Sequence, residues 1–279
     1  MENTKISPLG TLMSIVNNTS TGTLEYQLAS YFLDQYNHFE KLNIFDVADQ
    51  CYCSRASVRR FCKKIGFSNF VEMKKHFINY EFQQRQYTNR VQVGNFREIT
   101  ANKLISMITD IDQTLDDARL EEVAQKMHQS KNVIIFVVDT AATMAKFFQQ
   151  EMFFCGKTVK VVTDYSDSLT FGDLRAAQSA NHSSIAALGK DDLLITISVT
   201  GLFAAATLNI VKYCAAHKML FTLNRDAELR ECYDDVFYIS KNEDNPRVFT
   251  EYTVYGINYI FDNLFYLYYS RYSREKKKQ

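Results

Sequence analysis

Five cationic side chains, Arg55, Arg59, Arg60, Lys63 and Lys64, fall within ten positions of the stretch SRASVRRFCKKIGF, with no acid among them. Guanidinium forks match the acceptor edge of guanine, and ammonium and hydroxyl groups match phosphate oxygens. The chemistry offered is recognition of a polyanion, with Ser54 and Ser57 as hydroxyl donors beside the cations. Overall the chain is neutral, 32 basic against 32 acidic residues in 279. Residues 51–90 nevertheless hold nine basic groups against Glu72 and Glu81, a local net of +7 that the remainder must balance at −7. An ordinary solvated helix face mixes signs. This one does not.

Other reactive residue types are scattered. Cys51, Cys53, Cys62, Cys155, Cys214 and Cys232 show no disulfide-framework spacing and no CxxC pair. Reduced, buried thiols are expected, with no metal site and no cofactor. His128, His182 and His217 stand isolated as surface or helix-end residues, without the positioned acid and base that isomerase chemistry requires. The N-terminus MENTKISPLG lacks a basic-then-apolar export signal, so a cytoplasmic protein is expected. Near the C-terminus, YTVYGINYIFDNLFYLYYSRY is apolar but interrupted by Asn258, Asp262 and Asn263. It reads as a buried helix or half of a subunit interface, and no membrane partner is expected.

The cations need a rigid support. Turning a helix at about 100° per residue from Ser54 as N-cap puts Val58, Phe61, Cys62 and Ile65 in one core-facing sector. Ala56, Arg60 and Lys63 lie opposite, flanked by Ser57, Arg59 and Lys64. Gly66 suits a left-handed stop, and Asn69 with Glu72 suits a capping box opening the next helix. Upstream, EYQLASYFLDQY and NIFDVADQC carry helical apolar stripes, so helix, short turn and basic helix follow in order. That layout docks its second helix into a DNA major groove.

Beyond the polar stretch EFQQRQYTNRVQVGN the periodicity changes. Residues 101–130 read as helical. NVIIFVV, TVKVV, DLLITIS, KMLFTL and DVFYIS are continuous apolar runs, most separated by helical segments, notably 141–155 and 202–217. Such alternation predicts a parallel sheet covered on both faces. The expected organisation is an α-helical helix-turn-helix bundle at 1–80, a linker at 81–100 and a doubly wound α/β domain at 101–279.

The segment IFDVADQCYCSRASVRRFCKKIGFSNFVEMKK resembles the N-terminal domain of RpiR-type bacterial transcription regulators through Ser54, Ser57, Val58, Arg60, Phe61, Lys63, Ile65, Gly66 and Phe67. Arg59 adds a charge where that family more often has an apolar or variable residue. The resemblance implies DNA binding by Ser54, Arg55, Ser57, Arg59, Arg60, Lys63 and Lys64. It also implies a C-terminal SIS (sugar isomerase) domain that senses phosphosugars, usually with regulation of carbohydrate metabolism.

In that family a glycine-rich turn after the first strand approaches the phosphate. Here it is Val137-Val138-Asp139-Thr140-Ala141, without glycine and with an added acid, leaving Thr140 and Thr143 as donors. A carboxylate about 4 Å from a phosphate charge costs roughly 4 kcal/mol at an effective dielectric of 20. The second turn, Ser198-Val199-Thr200-Gly201, resembles the family's Ser-x-Ser-Gly and precedes a helix N-terminus, which favours anions. Leu202-Phe203 make its rim greasier than the usual Glu-Thr. The expected effector set is therefore Asp139, Thr140, Thr143, Ser198, Thr200 and Gly201, for a phosphosugar-type or related neutral or cationic metabolite. Two alternatives stand beside it: a second domain that only dimerises, and a sugar-phosphate isomerase. A homo-oligomer, dimer or tetramer, would present paired basic helices to a near-palindromic duplex.

Overall fold

The computed structural model describes residues 8–77, 94–137, 139–163, 183–241 and 251–273, apart from the side chains of Pro8, Asp139 and Thr140. They form two compact units, one within 8–77 and one from 94 onward. Of the expected linker at 81–100, residues 81–93 lie outside the described residues, and 96–100 are already helical.

The first unit is all helical: α1 (Pro8–Asn18), α2 (Leu24–Asp34), a 3-10 segment (Tyr36–Lys41), α3 (Ile44–Gln50), α4 (Arg55–Lys64) and α5, helical from 70 through 77. Side-chain caps set the starts. The Thr23 hydroxyl accepts the Tyr26 N–H at 3.2 Å, and the Asn43 carbonyl oxygen accepts those of Phe45 and Asp46, both at 2.9 Å. The expected capping box appears with its return arm displaced by one residue. Asn69 accepts the Glu72 N–H at 2.9 Å, while Glu72 takes the N–H of Ser68 at 2.5 Å. Aromatic packing closes the core. Phe32 lies 5.5 Å from Phe39, 5.9 Å from Phe61 and 6.2 Å from Phe70, and Phe39 stacks on Phe77 at 4.0 Å.

The second unit comprises α6 (Phe96–Thr114), α7 (Asp117–Gln129), β1 (Val133–Val137), α8 (Asp139–Phe154), β2 (Val159–Thr163), β3 (Leu193–Ile197), α9 (Leu202–Val211), β4 (His217–Thr222), α10 (Ala227–Cys232), β5 (Asp235–Tyr238), a π-helical turn (Tyr252–Gly256) and α11 (Ile257–Tyr272). All five apolar runs are strands, paired in parallel in the order β2-β1-β3-β4-β5. The period-2 pleat divides the core. Val133, Ile135 and Val137 face the layer of α6, α7, α8 and α11, whereas Ile134 and Phe136 face that of α9 and α10. Phe148 stacks on Phe261 at 4.7 Å on one side, and Phe136 meets Phe203 edge-on at 4.6 Å on the other.

Three expectations shift. The helical stretch 101–130 is two helices, because the Asp116 carboxylate caps a new start by accepting the Arg119 N–H at 3.0 Å. The helix expected over 202–217 ends at Val211, and His217 opens β4 instead of closing a helix. The C-terminal aromatic segment is indeed a helix; it buries Ile257, Ile260, Phe261, Leu264 and Tyr268 and leaves Tyr266 and Tyr269 exposed. No helix among the described residues is long and apolar enough to cross a membrane.

Candidate functional site

Helix α4 divides as its sequence pattern predicts. Val58, Phe61, Cys62 and Ile65 are buried, while Arg55, Ala56, Arg59, Arg60 and Lys63 are exposed. Burying Val58, Phe61 and Ile65 contributes about 1.5–3 kcal/mol each. The like-charge pairs Arg59/Lys63 and Arg60/Lys64, four residues apart, cost only about 0.2–0.5 kcal/mol each. Packing therefore holds the cations together against their repulsion.

Each end of α4 is fixed by hydrogen bonds. The Ser54 hydroxyl accepts the Ser57 N–H at 3.1 Å. At the other end Gly66, at φ 94, closes the helix: Phe67 N–H donates to Cys62 O at 2.9 Å and Gly66 N–H to Lys63 O at 3.1 Å. The turn from α3 uses the same pair of bonds, Cys53 to Ala48 at 2.9 Å and Tyr52 to Asp49 at 3.2 Å. There the left-handed position is occupied by Tyr52, at φ 48.

The seven residues expected to meet DNA play unlike parts. Arg59 and Lys63 are exposed and bond to no other described side chain. Arg60 is aimed along the helix by its guanidinium donating to Ser57 Oγ at 3.0 Å, and Ser57 Oγ lies 3.0 Å from Ser54 Oγ. Arg55 lies over the exposed ring of Phe45, 4.6 Å from its centroid. Ser54 is primarily a helix cap. Lys64 departs from expectation: its Nζ is 3.2 Å from Glu25 Oε1, tying α4 to α2. Glu25's carboxyl is held below its ordinary range, first by a backbone N–H and then by Lys64. The sequence offered no sign of this pair, which spans 39 positions. The Phe45 platform and the strained Tyr52 were likewise missed.

Burial pushes the Cys51 thiol up to about 11 and that of Cys62 up to about 12. These are core thiols, not thiolates. Among the described residues no three of His, Cys, Asp and Glu group as metal ligands.

In the second unit the strand order reverses between β1 and β3, the point where open α/β sheets take ligands beyond their strand C-termini. Val137, where the first expected effector turn begins, ends β1, and the second, Ser198-Val199-Thr200-Gly201, follows β3 at this crevice; Val138 lies outside the described residues. Thr143 is exposed on α8; the side chains of Asp139 and Thr140 lie outside the described residues.

The β3–α9 turn is already internally bonded. Ser198 is buried, and its Oγ accepts the Ala204 N–H at 3.1 Å. Thr200 Oγ1 accepts the Leu202 N–H at 3.3 Å. These two backbone donors are among those a phosphate would use at a helix N-terminus. Gly201 sits at φ 77, and a Cβ there would lie 2.5 Å from the Asn224 side chain. Asn224 in turn donates from Nδ2 to Thr200 O at 3.1 Å.

The remaining polar clusters lie elsewhere. His217 Nε2 is 2.6 Å from Asp235 Oδ2 at the opposite, N-terminal ends of β4 and β5. His128 stacks on Tyr272 at 4.1 Å. His182 lies outside the described residues. Sequence reasoning also missed Asp110 of α6, whose carboxylate accepts the Ser240 hydroxyl, the Lys241 N–H at 3.1 Å and the Tyr252 hydroxyl at 2.5 Å. Burial first, then Asp110, pushes the Tyr252 phenol up to about 12.

Residues 14–84 match the helix-turn-helix domain of the rpiR family. The chain is similar to an uncharacterized helix-turn-helix-type transcriptional regulator in the aarA 3′ region of Providencia stuartii. The two are 27% identical over 205 residues, 70% of this chain and 67% of that one. Among solved structures it is similar to the Vibrio vulnificus NanR protein complexed with ManNAc-6P, at 14% identity and a TM-score of 0.49, over 98% of this chain and 97% of that one. It is also similar to the sugar isomerase domain of an RpiR transcription factor from Sphaerobacter thermophilus, at 16% identity and a TM-score of 0.42, over 65% of this chain and 99% of that one.

Proposed function

We infer, from the rpiR-family helix-turn-helix domain that this chain carries at its N-terminus, that it is a DNA-binding transcriptional regulator of the cytoplasm, acting on carbohydrate-metabolism genes. The observation that carries the reading is α4 itself: one face locked into an aromatic core, the other presenting Arg59, Arg60 and Lys63 to solvent. Arg60, pre-aimed by Ser57, is the base reader, and Arg59 and Lys63 meet phosphates. Two copies, joined through the α/β unit, present two such helices to a near-palindromic duplex. In this reading the linker expected at 81–100, of which 96–100 belong to α6, connects the two units of each copy. Binding of the purified chain to fragments of its genome, followed by sequencing of the retained DNA, tests this. An Arg60→Ala variant should lose about 1–3 kcal/mol on the retained site.

The effector reading places a sugar phosphate or related metabolite at the switch-point crevice, with Asp139, Thr140, Thr143, Ser198, Thr200 and Gly201 as its contact set. One observation favours a second reading, in which the α/β unit dimerises and takes no phosphate. The turn's own hydroxyls already occupy the Leu202 and Ala204 N–H groups. Thermal unfolding against a phosphosugar panel separates the two, since a ligand at 100 times its dissociation constant adds about 2.7 kcal/mol. No catalytic role is assigned: of the three histidines weighed for isomerase chemistry, His128 stacks on Tyr272 and His217 bonds to Asp235, both away from the crevice.

A further inference from the structure

Tyr52 is the non-glycine residue with positive φ among the described residues, at φ 48. It occupies the one position of the α3–α4 turn where the backbone must turn left-handed, as its two closing hydrogen bonds require. Glycine adopts this conformation without penalty, and a bulky ring does not. A strained residue normally repays its strain through packing, yet this side chain is 96% exposed. It stacks on no other described ring. The turn's hydrogen bonds account for the backbone conformation but not for a bulky ring in it, and a ring kept there without packing on its own chain points to a contact made outside the chain.

The position narrows that contact. Tyr52 precedes the N-cap Ser54 by two residues, at the same end of α4 as Arg55, Ser57 and the aimed guanidinium of Arg60. Helix-turn-helix proteins insert this end into the major groove, which leaves the preceding turn beside the groove's phosphate wall. A phenol there has a hydroxyl to donate and no charge to neutralise. We propose that Tyr52 is a duplex-binding residue whose hydroxyl donates to a backbone phosphate flanking the groove that α4 enters. The assignment rests on the DNA-binding reading above.

The test uses the full chain with Tyr52→Phe and Tyr52→Gly. Anisotropy of a labelled genomic fragment retained by the protein is measured beside that of a random-sequence duplex. Both variants should bind about tenfold more weakly for each bundle on the duplex, the fold-change of one hydrogen bond to a charged acceptor. The loss should be equal on the two duplexes, and the salt dependence should be unchanged, because no cation has been removed. Tyr52→Gly should unfold at or above the parent temperature, so weaker binding cannot be ascribed to a damaged fold. Tyr52→Phe binding like the parent would overturn the assignment, as would a loss confined to the genomic fragment. If the parent itself binds neither duplex, the DNA-binding reading fails with it. If only Arg59→Ala weakens binding, that reading stands and the Tyr52 contact falls.

Discussion

Replacing Arg59 and Lys63 together with alanine separates the free cations of α4 from the tethered one. Each phosphate neutralised by a protein cation steepens the fall of log K with log salt by about 0.9. Two cations removed should flatten the slope by about 1.8 for each bundle on the duplex, or about 3.6 if two bundles bind together. Over a tenfold range of salt that is a factor of roughly 60 per bundle. Lys64 provides the internal comparison. Its ammonium is engaged by Glu25 at 3.2 Å, with both side chains more than a third exposed. Lys64→Ala should leave the slope near its parent value and lower stability by less than about 1 kcal/mol, since water screens the pair. The double variant should remain folded. It removes a like-charge pair at i, i+4 and installs the best helix former, so its melting temperature should equal or exceed the parent's. Fluorescence anisotropy across a salt series gives the slopes, and thermal unfolding gives the control. An unchanged slope in the double variant, or an equal flattening by Lys64→Ala, would refute the assignment of this face to phosphate.

Other consequences can be checked on the isolated protein. Gly201→Ala should destabilise by about 1–2 kcal/mol from the left-handed backbone alone, with a further loss from the 2.5 Å approach to Asn224. Asn224→Gly costs stability of its own by removing its bonds to Thr200 O and the Asp226 N–H, but in that background Gly201→Ala should cost only the backbone part in thermal unfolding. Ser198→Ala should cost about 1–2 kcal/mol by leaving the Ala204 N–H buried without its acceptor, whereas Thr200→Ala, at an exposed and longer bond, should cost less. Glu25's carboxyl is depressed in the fold, so its stabilisation is present above the ordinary value of 4.5 and lost as pH falls through the folded value. Acid unfolding should be less steep in that interval for Lys64→Ala. Tyr233 and Tyr252 are both raised from 10.0 to about 12, chiefly by burial, so stability should decline as pH rises between those values.

The sequence reveals local periodicity and hides pairings between distant residues, and each element here divides along that line. The stripe of Val58, Phe61, Cys62 and Ile65 was legible because a 3.6-residue repeat fixes which side chains share a face, whatever covers it. The five strands were legible because strands buried on both faces cannot alternate, so their apolar runs are continuous. Boundaries proved less legible. Asp116 restarts a helix inside an unbroken helical pattern, and His217 joins β4 because its pairing with Leu193 is a non-local register. The least legible facts concern what charged side chains do. The helical repeat sets Lys64 on the flank of the polar face and Lys63 at its centre, but nothing near Lys64 in the chain announces a partner; only folding brings Glu25 to it. Likewise the Ser-x-Thr-Gly turn has the composition of an anion site. Its hydroxyls nevertheless satisfy their own helix, because an unbonded N–H at a helix start takes whatever acceptor reaches it first, and here the chain supplies it. Composition identifies groups capable of binding, and only geometry shows which of them remain free to bind.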